Sequence, residues 1–390
     1  MRVMIVSRIY RPEPSAASLF LGAVADRLLS DGHRVDVLTA APPRGSVAGS
    51  RGERIRTFPV LRDANGYVRG IVQYLSFDLP LVFRLLFARR ADVVLVEPPP
   101  TTGAVVRMVC AVRRMPYVYD AADIWSDAAQ LEPVSPLVVR VLRWVEGLAL
   151  RGAAHTVTIS QGVATRVRAF SVVRPVTVTG FGADMQEFHY EAGEPQRLFV
   201  YAGSYAPAHG AEVLVGAFAK FLQSHPGYTL RFVGNGVERP LVESRAAELG
   251  VTASIEYLDP VSPAELLPHL GAAVASLATI KPGTVYEYSY ASKAFSSLAA
   301  GCPVLFAGPG PTADLIDSAN EHVRAGLSCA YDEGAIALAM SELADDPVRA
   351  EHRQALSRWT AAEHSMVAVA DRVAGVLLTL KGNANGSDAQ

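Results

Sequence analysis

Short apolar runs alternate with longer amphipathic runs along most of this chain, and that alternation limits the folds open to it. In the first half, the strand-like runs are 3–7, 35–39, 93–96, 117–119, 156–159 and 176–179. Helix-like runs stand between them at 17–29, 103–113, 136–150 and 161–168. Buried strands separated by helices are typical of a parallel sheet that is covered on both faces. The first half therefore predicts a Rossmann-like α/β domain.

The second half repeats the pattern after a break rich in glycine and proline at 180–184 and 191–195. Its strand-like runs are 198–201, 230–233, 254–257, 273–276, 304–306 and 328–331. We therefore predict an α/β protein with two Rossmann-like, doubly wound parallel-sheet domains that face a cleft, since 390 residues exceed the usual size of one core. The expected parts are an N-terminal domain at 1–184, a C-terminal domain at 185–358, a helix at 359–381 that crosses back to the N-terminal domain, and a flexible tail at 382–390.

Charge and cysteine content argue against several classes of protein. The chain has 36 basic and 38 acidic side chains, so its formal net charge of −2 gives no overall field that would attract nucleic acid. Cys110, Cys302 and Cys329 lie far apart and form no CxxC pair, which argues against a disulfide framework and against a structural zinc site. The N-terminus runs directly into a strand, without a secretory signal. These features predict a cytoplasmic protein.

The most apolar long stretch, 70–87, contains several polar residues and a proline, so we do not expect it to cross a bilayer. Residues 79–90 nevertheless place leucines and a valine beside the basic edge formed by Arg84, Arg89 and Arg90. Two interpretations stay open. The pattern favours a core-facing helix with a solvated end, and the alternative is an interfacial helix that gives peripheral contact with the inner face of a membrane.

The segment 290–304 is the strongest candidate for an anion site. Lys293 follows Ser292 at a polar turn that opens a helix of small residues, and Gly301 ends that helix before an apolar run. Free N–H groups at a helix start and a nearby ammonium both favour negative charge, which suits a diphosphate. The alternative is that Ser292 is a helix cap and Lys293 is solvated.

Loops that follow strands deserve the most weight, because ligands of doubly wound sheets collect beyond the carboxyl ends of the strands. The loop at 8–17 leads into a helix through Ser15 and Ala16, small residues that permit close approach of an acceptor, and Glu13 can contact a sugar hydroxyl or stay solvated. The loop at 120–127 carries Asp123 beside Trp125. Asp123 can orient a reacting hydroxyl or take its proton, or it can cap a helix. Trp125 is predicted to pack beside the acceptor.

Two further loops in the second half suit an anion. Gly203, Ser204 and His209 follow the first strand there, where a glycine turn exposes backbone donors and a histidine can donate to a phosphate. Gly234 opens a second glycine turn, and Arg239 beyond it can pair with a diphosphate. A surface histidine and an ordinary tight turn are the alternatives. Together with the carboxylate loop of the first half, these loops predict a group-transfer enzyme.

The order and spacing of the motifs at 8–17, 31–39, 123–127, 201–204, 233–236, 291–293 and 298–301 support a more specific interpretation. They resemble glycosyltransferases of the GT-B fold, specifically the family 4 retaining enzymes and their fucosamine-transferase-like branch in bacterial polysaccharide synthesis. The resemblance implies a nucleotide-diphosphate sugar bound mainly to the C-terminal domain, with its diphosphate near Gly203, Arg239 and Lys293. It also implies a hydroxyl acceptor on the N-terminal domain and a hexosyl or related transfer with retained configuration. Neither a cofactor nor a metal is expected.

The sequence departs from the resembled family at two places. Many members carry a Glu-x7-Glu pattern whose second carboxylate binds the ribose, but Ser296 stands at that position here. Glu287 is one residue out of phase with the first glutamate and is the candidate replacement. The usual arginine and lysine after the first strand of the second domain are also absent, with Ser204 and His209 in that turn, which places more weight on Arg239 and Lys293.

Two alternative functions stay open at this point. Sugar-nucleotide epimerases share the GT-B architecture and bind the same donor class, and the serine at position 296 also fits a catalytically weakened sugar-nucleotide-binding partner. The sequence specifies neither the sugar, the nucleotide base nor the acceptor, which can be a lipid-linked glycan, a polysaccharide precursor or a natural-product aglycone.

Overall fold

The computed structural model of the protein describes residues 1–13, 15–43, 49–63, 68, 70–131 and 134–386, with the backbone alone at 131 and 381–386. The chain forms two compact units, one made of Met1–Gly180 with Met366–Gln390 and the other of Phe181–Ser365. Each unit contains one parallel sheet, which confirms the predicted fold class.

The first unit has a seven-stranded sheet in the order β3-β2-β1-β4-β5-β6-β7. Its strands are β1 (Arg2–Val6), β2 (Arg34–Ala40), β3 (Arg54–Phe58), β4 (Val93–Val96), β5 (Tyr117–Ala121), β6 (His155–Thr158) and β7 (Val176–Val178). Strand order reverses at β1, whose Val3 pairs with Val35 on one side and Val93 on the other. The carboxyl ends of β1, β4 and β5 therefore meet at the place where doubly wound sheets bind ligands.

Helices cover both faces of this sheet. They are α1 (Ala16–Ser30), α2 (Ile71–Leu86), α3 (Pro100–Arg113), α4 (Trp125–Ala128), α5 (Pro136–Gly152) and α6 (Gln161–Arg168). On one face, α1 packs against a helix from the far end of the chain, and α3 packs between α2 and α5 elsewhere in the unit. Gly32 has φ +76 just after α1, which is the conformation predicted for a glycine that ends a helix.

The second unit has a six-stranded parallel sheet in the order β10-β9-β8-β11-β12-β13. Its strands are β8 (Leu198–Ala202), β9 (Thr229–Val233), β10 (Ile255–Leu258), β11 (Ala275–Thr279), β12 (Val304–Ala307) and β13 (Gly326–Cys329). Its helices are α7 (Glu212–Phe221), α8 (Arg239–Glu248), α9 (Pro263–Ala272), α10 (Lys293–Ala299), α11 (Pro311–Asn320), α12 (Glu333–Asp345) and α13 (Ala350–His364). The strand order reverses at β8 and β11, so the loops after these two strands lie side by side.

The last helix, α14 (Met366–Gly386), belongs to the first unit, where Ala370, Val373 and Leu377 join the apolar core. The boundaries after residues 184 and 358 are displaced to Gly180 and Ser365. The reason is that Ala183 is buried in the second unit and its N–H donates to the carbonyl of His364 at 2.7 Å.

The predicted tail at 382–390 begins too early, because the backbone of α14 stays helical through Gly386. Extending a helix that is already packed adds one backbone hydrogen bond for each residue fixed, which offsets the poor helix propensity of asparagine and glycine. Residues 387–390 of the predicted tail lie outside the described residues. No helix in the described part of the chain has the length and apolar character that a membrane crossing requires.

Candidate functional site

In the second unit, Lys293 lies against the loop that follows β8. Its Nζ donates to the hydroxyl of Tyr201 at 2.9 Å and stands 4.1 Å from the centre of that ring. Gly203 has φ +147, and a Cβ at this position would lie only 2.8 Å from Cε of Lys293. The positive φ at residue 203 favours glycine, and the absence of a side chain there leaves room for the end of the lysine. The structure thus brings together two residues, Gly203 and Lys293, that are 90 positions apart in the sequence.

The charge of Lys293 has no acidic partner within the part of the chain that the structure describes. No carboxylate among the described residues forms an ion pair with its ammonium, and burial lowers the pKa of Lys293 to about 7. Ser292 precedes α10 in a helical conformation, and its side chain makes no capping hydrogen bond. The alternative in which Ser292 caps the helix and Lys293 is simply solvated is therefore not what the structure shows. An anion placed here would restore the charged state of the ammonium.

Ser204 and His209 belong to the same cluster. The carbonyl of Ser204 accepts from the hydroxyl of Tyr201 at 2.8 Å and lies 3.0 Å from Nδ1 of His209. Burial, and then the charge of Lys293, lower the pKa of His209 to about 4, so the ring is neutral at pH 7. With its proton on Nδ1 and directed at Ser204, the ring presents Nε2 as an acceptor. His209 can therefore donate from Nε2 to a phosphate only when the ring gains a second proton.

The glycine turn after β9 packs against the turn after β8. A Cβ on Gly234 would lie 2.1 Å from the carbonyl oxygen of Gly203, and one on Gly236 would lie 2.6 Å from the nitrogen of Tyr205. No side chain fits at either contact. The close approach that these glycines permit is therefore between two backbones, and it holds the Gly203 turn in place.

Arg239 and Glu287 already have partners. The guanidinium of Arg239 pairs with Glu243 at 2.8 Å and with Asp259 at 2.9 Å, and these contacts raise its pKa. The carboxylate of Glu287 accepts from the N–H of Gly283 within its own loop. Binding of a diphosphate by Arg239, or of a ribose by Glu287, would have to compete with these contacts. Of the predicted donor-binding charges, Lys293 is the one for which the described residues supply no compensating group.

Three further residues near this cluster were not predicted from the sequence. Glu212 begins α7 and Glu238 immediately precedes α8 without a capping hydrogen bond from its side chain, and each has one buried carboxylate oxygen without a hydrogen-bond partner in the described structure. Lys281 follows β11, with Nζ 3.9 Å from Glu212. Burial, and then Glu212, raise the pKa of Glu238. Unpaired acceptors of this kind suit hydroxyl groups of a ligand. Their positions in the sequence could have indicated a role in binding, because all three residues lie in loops or helix starts that follow strands.

In the first unit, three carboxyl groups lie at the carboxyl ends of β4 and β5. Glu97 is buried and accepts from the hydroxyl of Ser7 at 2.9 Å. Asp120 is also buried, and its burial, then the charges of Glu97 and Asp123, raise its pKa to about 8. Asp123 is open to solvent on one side, while the protein on its other sides raises the pKa of its carboxyl. A neutral acid and a solvent-facing carboxylate therefore lie three positions apart.

Asp123 does not cap a helix. The residue at the cap position of α4 is Ile124, and no hydrogen bond within the described residues involves the carboxylate of Asp123. Trp125 donates its backbone N–H to Glu146 at 2.7 Å, and its ring meets Tyr74 edge-on with 5.8 Å between centroids. The guanidinium of Arg8 lies 5.5 Å from the ring of Trp125. Trp125 therefore packs in a cluster with Arg8 and Tyr74, and Asp123 is the group left open.

The predicted acceptor residues after β1 have mainly structural contacts. Glu13 forms a bidentate ion pair with Arg62, whose Nη2 and Nη1 donate to the two carboxylate oxygens at 2.7 and 3.1 Å. The hydroxyl of Ser15 accepts from the N–H of Ser18 at 3.1 Å and caps α1. Ala16 is exposed at the first position of α1. Arg8 in the same loop is buried, and its Nη1 donates to the carbonyl of Val68 at 3.2 Å. A sugar hydroxyl would have to displace Arg62 to reach Glu13.

Each of the two units matches a known protein family. Residues 17–182 match the family described as "Glycosyl transferase 4-like domain", and residues 196–346 match "Glycosyl transferases group 1". The chain belongs to the glycosyltransferases of the GT-B fold. Its first unit carries the 4-like domain and its second unit the group 1 domain, in the order that the sequence motifs predict.

Individual relatives are distant. The glycogen synthase of Mycobacterium tuberculosis is 24% identical over 231 residues, which cover 58% of this chain and 54% of that protein. The chain thus spans about half the length of the curated relatives it matches. Among solved structures, sucrose-phosphate synthase from Thermosynechococcus elongatus has a TM-score of 0.72 at 16% identity and covers 98% of this chain and 99% of its own. HepE of Anabaena, solved in complex with UDP-glucose, has a TM-score of 0.65 at 16% identity, with coverage of 97% and 100%.

Proposed function

We propose that this glycosyltransferase moves a sugar from a nucleotide-diphosphate sugar to an acceptor hydroxyl. The observation that carries the proposal is the half-buried ammonium of Lys293, held over Gly203 without an acidic partner in the group 1 domain. A fixed cation at this position is suited to the leaving diphosphate, because the interaction strengthens as negative charge develops on the leaving group. That a protein of the same fold was solved with UDP-glucose agrees with a donor of this class.

We assign the neighbouring groups of the second unit to the rest of the donor. His209 stays neutral at pH 7 and presents Nε2 as an acceptor, so we assign it to a hydroxyl group of the donor rather than to the phosphate. Glu212 and Glu238 offer unpaired oxygens to ribose or sugar hydroxyls, which supplies the acceptor groups that Ser296 cannot provide. Arg239 and Glu287 take part only if the donor displaces their present partners.

For the acceptor we assign Asp123. Its carboxylate is the open acidic group at the carboxyl end of β5 and can orient the attacking hydroxyl or accept its proton. Asp120 holds a proton at pH 7 because its pKa is about 8, so the two acids do not compete for the same role. Glu13, Ser15, Ala16 and Trp125 shape the same edge of the first unit.

The finer features of the proposal follow the sequence resemblance. They are family 4 membership, retention of configuration without an enzymatic nucleophile, a hexosyl or related sugar, and no need for a metal or cofactor. The proposed setting is the cytoplasm at the inner face of a bacterial membrane, in synthesis of a glycan or a natural product. Full activity in the presence of a chelator, and an NMR spectrum showing the anomeric configuration of donor and product to be the same, would support these features.

A thermal-shift screen of UDP-, GDP-, dTDP- and ADP-sugars tests the proposal first, because a ligand that binds only the native state raises the unfolding temperature with its concentration. Transfer assays with the stabilising donor then compare the native protein with Lys293→Ala, which should lose kcat or gain KM strongly. Unchanged steady-state kinetics would refute the assignment of Lys293. Solvent deuterium entering the sugar without an acceptor would show an epimerase, and donor binding without turnover would show a binding partner.

A further inference from the structure

Three helices of the first unit carry large apolar side chains on their solvent side. The helices α2, α3 and α5 form one layer, because α3 packs between the other two and right-handed crossovers between β4, β5 and β6 place α3 and α5 on the same face of the sheet. Their exposed apolar residues are Ile71, Val72, Leu75, Leu79, Phe83, Met108, Val112, Leu137, Val138, Val141 and Trp144, with Phe87 directly after α2. We call this surface the α2–α3–α5 face.

Helix α2 is apolar on two opposite sides. Phe77, Leu81 and Leu85 are fully buried against the unit, as the core-facing interpretation of 79–90 predicts. Leu79 and Phe83, which alternate with them, are 64% and 65% exposed. A surface helix of a globular domain usually has one apolar stripe and an opposite polar side. Core packing therefore explains only half of the apolar residues in α2.

The charged groups exposed around this face are mainly arginines, and Asp92, whose carboxylate accepts from the N–H of Arg2 at 2.7 Å, is an exposed acid two positions after Arg90. Arg89, Arg90 and Arg114 are exposed at the ends of α2 and α3, and Arg140, Arg143 and Arg151 are exposed on α5. The three helices contain two carboxylates, Asp78 and Glu146, and both are buried. The ionisable groups that these helices expose are therefore all arginines, although the whole chain has a net charge of only −2.

We infer that the α2–α3–α5 face docks the protein onto an anionic lipid membrane. Apolar side chains would enter the interface while the arginines contact lipid phosphates, the combination that interfacial helices use. A second copy of the chain fits less well, because a two-fold contact would bring the same cationic rims together. This inference extends the proposed membrane setting, but it does not depend on sugar transfer.

The position of α2 gives such docking a consequence for the candidate site. Tyr74 lies on α2 and packs against Trp125 and the guanidinium of Arg8, 4.9 Å from its ring centre. Asp78 of the same helix accepts from the hydroxyl of Thr102 at 2.6 Å. The helix that meets the lipid thus also supports the residues beside Asp123. An acceptor anchored in the membrane would reach this edge of the first unit without leaving the lipid.

Co-sedimentation with lipid vesicles tests the inference in the absence of donor and acceptor. We expect saturable binding to phosphatidylcholine vesicles that contain phosphatidylglycerol, weak binding to phosphatidylcholine alone, and loss of binding as salt rises from about 0.05 to about 0.5 M. The double variants Phe83→Ser/Phe87→Ser and Arg89→Glu/Arg90→Glu should each weaken binding by about tenfold or more. Leu338→Ser and Arg358→Glu change exposed residues of the second unit and serve as matched controls that bind normally.

Tryptophan fluorescence identifies the contact directly. Trp144 is 62% exposed on α5, so anionic vesicles should shift its emission to shorter wavelength, and Trp144→Phe should remove that shift. The inference is overturned if vesicles do not bind, or if both double variants bind as the native protein does. Self-association without lipid that both double variants abolish would instead assign the face to a second copy. Because no donor is present, these outcomes do not bear on the sugar-transfer proposal.

Discussion

At the scale of single residues, the protonation of Lys293 controls the proposed donor site. Burial lowers its pKa to about 7, and a bound diphosphate would raise it by favouring the ammonium. By linkage, donor affinity should be constant below pH 7 and should fall by up to about tenfold per pH unit above it. His209, with a pKa of about 4, does not titrate in this range.

Calorimetric titration of the native protein with its donor between pH 6 and pH 9 measures this dependence, with Lys293→Met as the comparison. The variant should bind weakly at every pH and show a flat profile. Equal slopes in the two proteins would assign the titration to another group and remove Lys293 from the donor site.

Asp120 gives a second prediction, for stability. Its pKa is about 8 in the folded protein, above the ordinary value, so the folded state keeps a proton that the unfolded chain releases. Stability should therefore fall as pH rises from about 4 to about 8. Asp120→Asn imitates the protonated acid, and its unfolding temperature should match the native one near pH 4 and exceed it near pH 8.

Asp123→Asn is the matched substitution three positions away. It should lose turnover to a greater extent than donor binding, while Asp120→Asn keeps most of its activity at pH 7. Thermal denaturation across pH and steady-state kinetics of both variants check the pair. Native turnover in Asp123→Asn, or a pH-independent stability difference in Asp120→Asn, would contradict the assignment concerned.

The sequence indicates candidate site residues, but it does not indicate which side chains they pair with. The polar turn at Lys293 and the glycine at position 203 are visible in the sequence, and the structure joins them. The sequence could not show that Arg62 forms an ion pair with Glu13 or that Asp259 forms one with Arg239. Such pairs depend on which loops meet in three dimensions, and the sequence carries no local signal for that.

At the scale of elements, periodicity predicts buried strands better than exposed ones. Strands β1, β2, β4 and β5 are apolar runs and were predicted within two residues of their observed ends. Strand β3 was missed, because it lies at the edge of the sheet and only two of its five residues, Ile55 and Phe58, are apolar. The predicted helix at 359–381 runs across the break at Ser365 that separates α13 from α14, because that break carries neither proline nor glycine.

The end of α10 gives a prediction about packing between elements. Gly301 has φ +71, and a Cβ there would lie 2.5 Å from the carbonyl oxygen of Arg353 on α13. Gly250, after α8, has nearly the same backbone conformation, φ +69, but open space around it. Gly250→Ala should cost about 1–2 kcal/mol through backbone strain alone. Gly301→Ala should cost about 1–3 kcal/mol beyond that, because α13 must move.

Urea unfolding followed by the fluorescence of Trp359 measures both variants, in a background where Trp125 and Trp144 are phenylalanine. Trp359 lies on α13 and reports on the second unit alone. Equal midpoints for the two variants would show that the contact between α10 and α13 yields without cost.

At the scale of the whole molecule, the first unit is built from both ends of the chain. Helix α14 buries Ala370, Val373 and Leu377 against α1 and the sheet, and Arg372 donates to the carbonyl of Thr179 at 2.6 Å. Burial of the apolar residues of α14 contributes on the order of 10 kcal/mol. That is comparable with the entire stability of an ordinary domain, so the first unit should not fold without its last helix.

Ending the chain after Ser365 tests this dependence, with a chain that ends after Gly386 as the control. In the shorter chain, Trp144 should report loss of the cooperative transition of the first unit, while Trp359 should report a transition in the second unit close to the native one. The control should retain both transitions, since it keeps all of α14. A native transition of the first unit in the shorter chain would show that residues 1–180 fold on their own. In that case α14 would pack against a core of the first unit that is already complete without it.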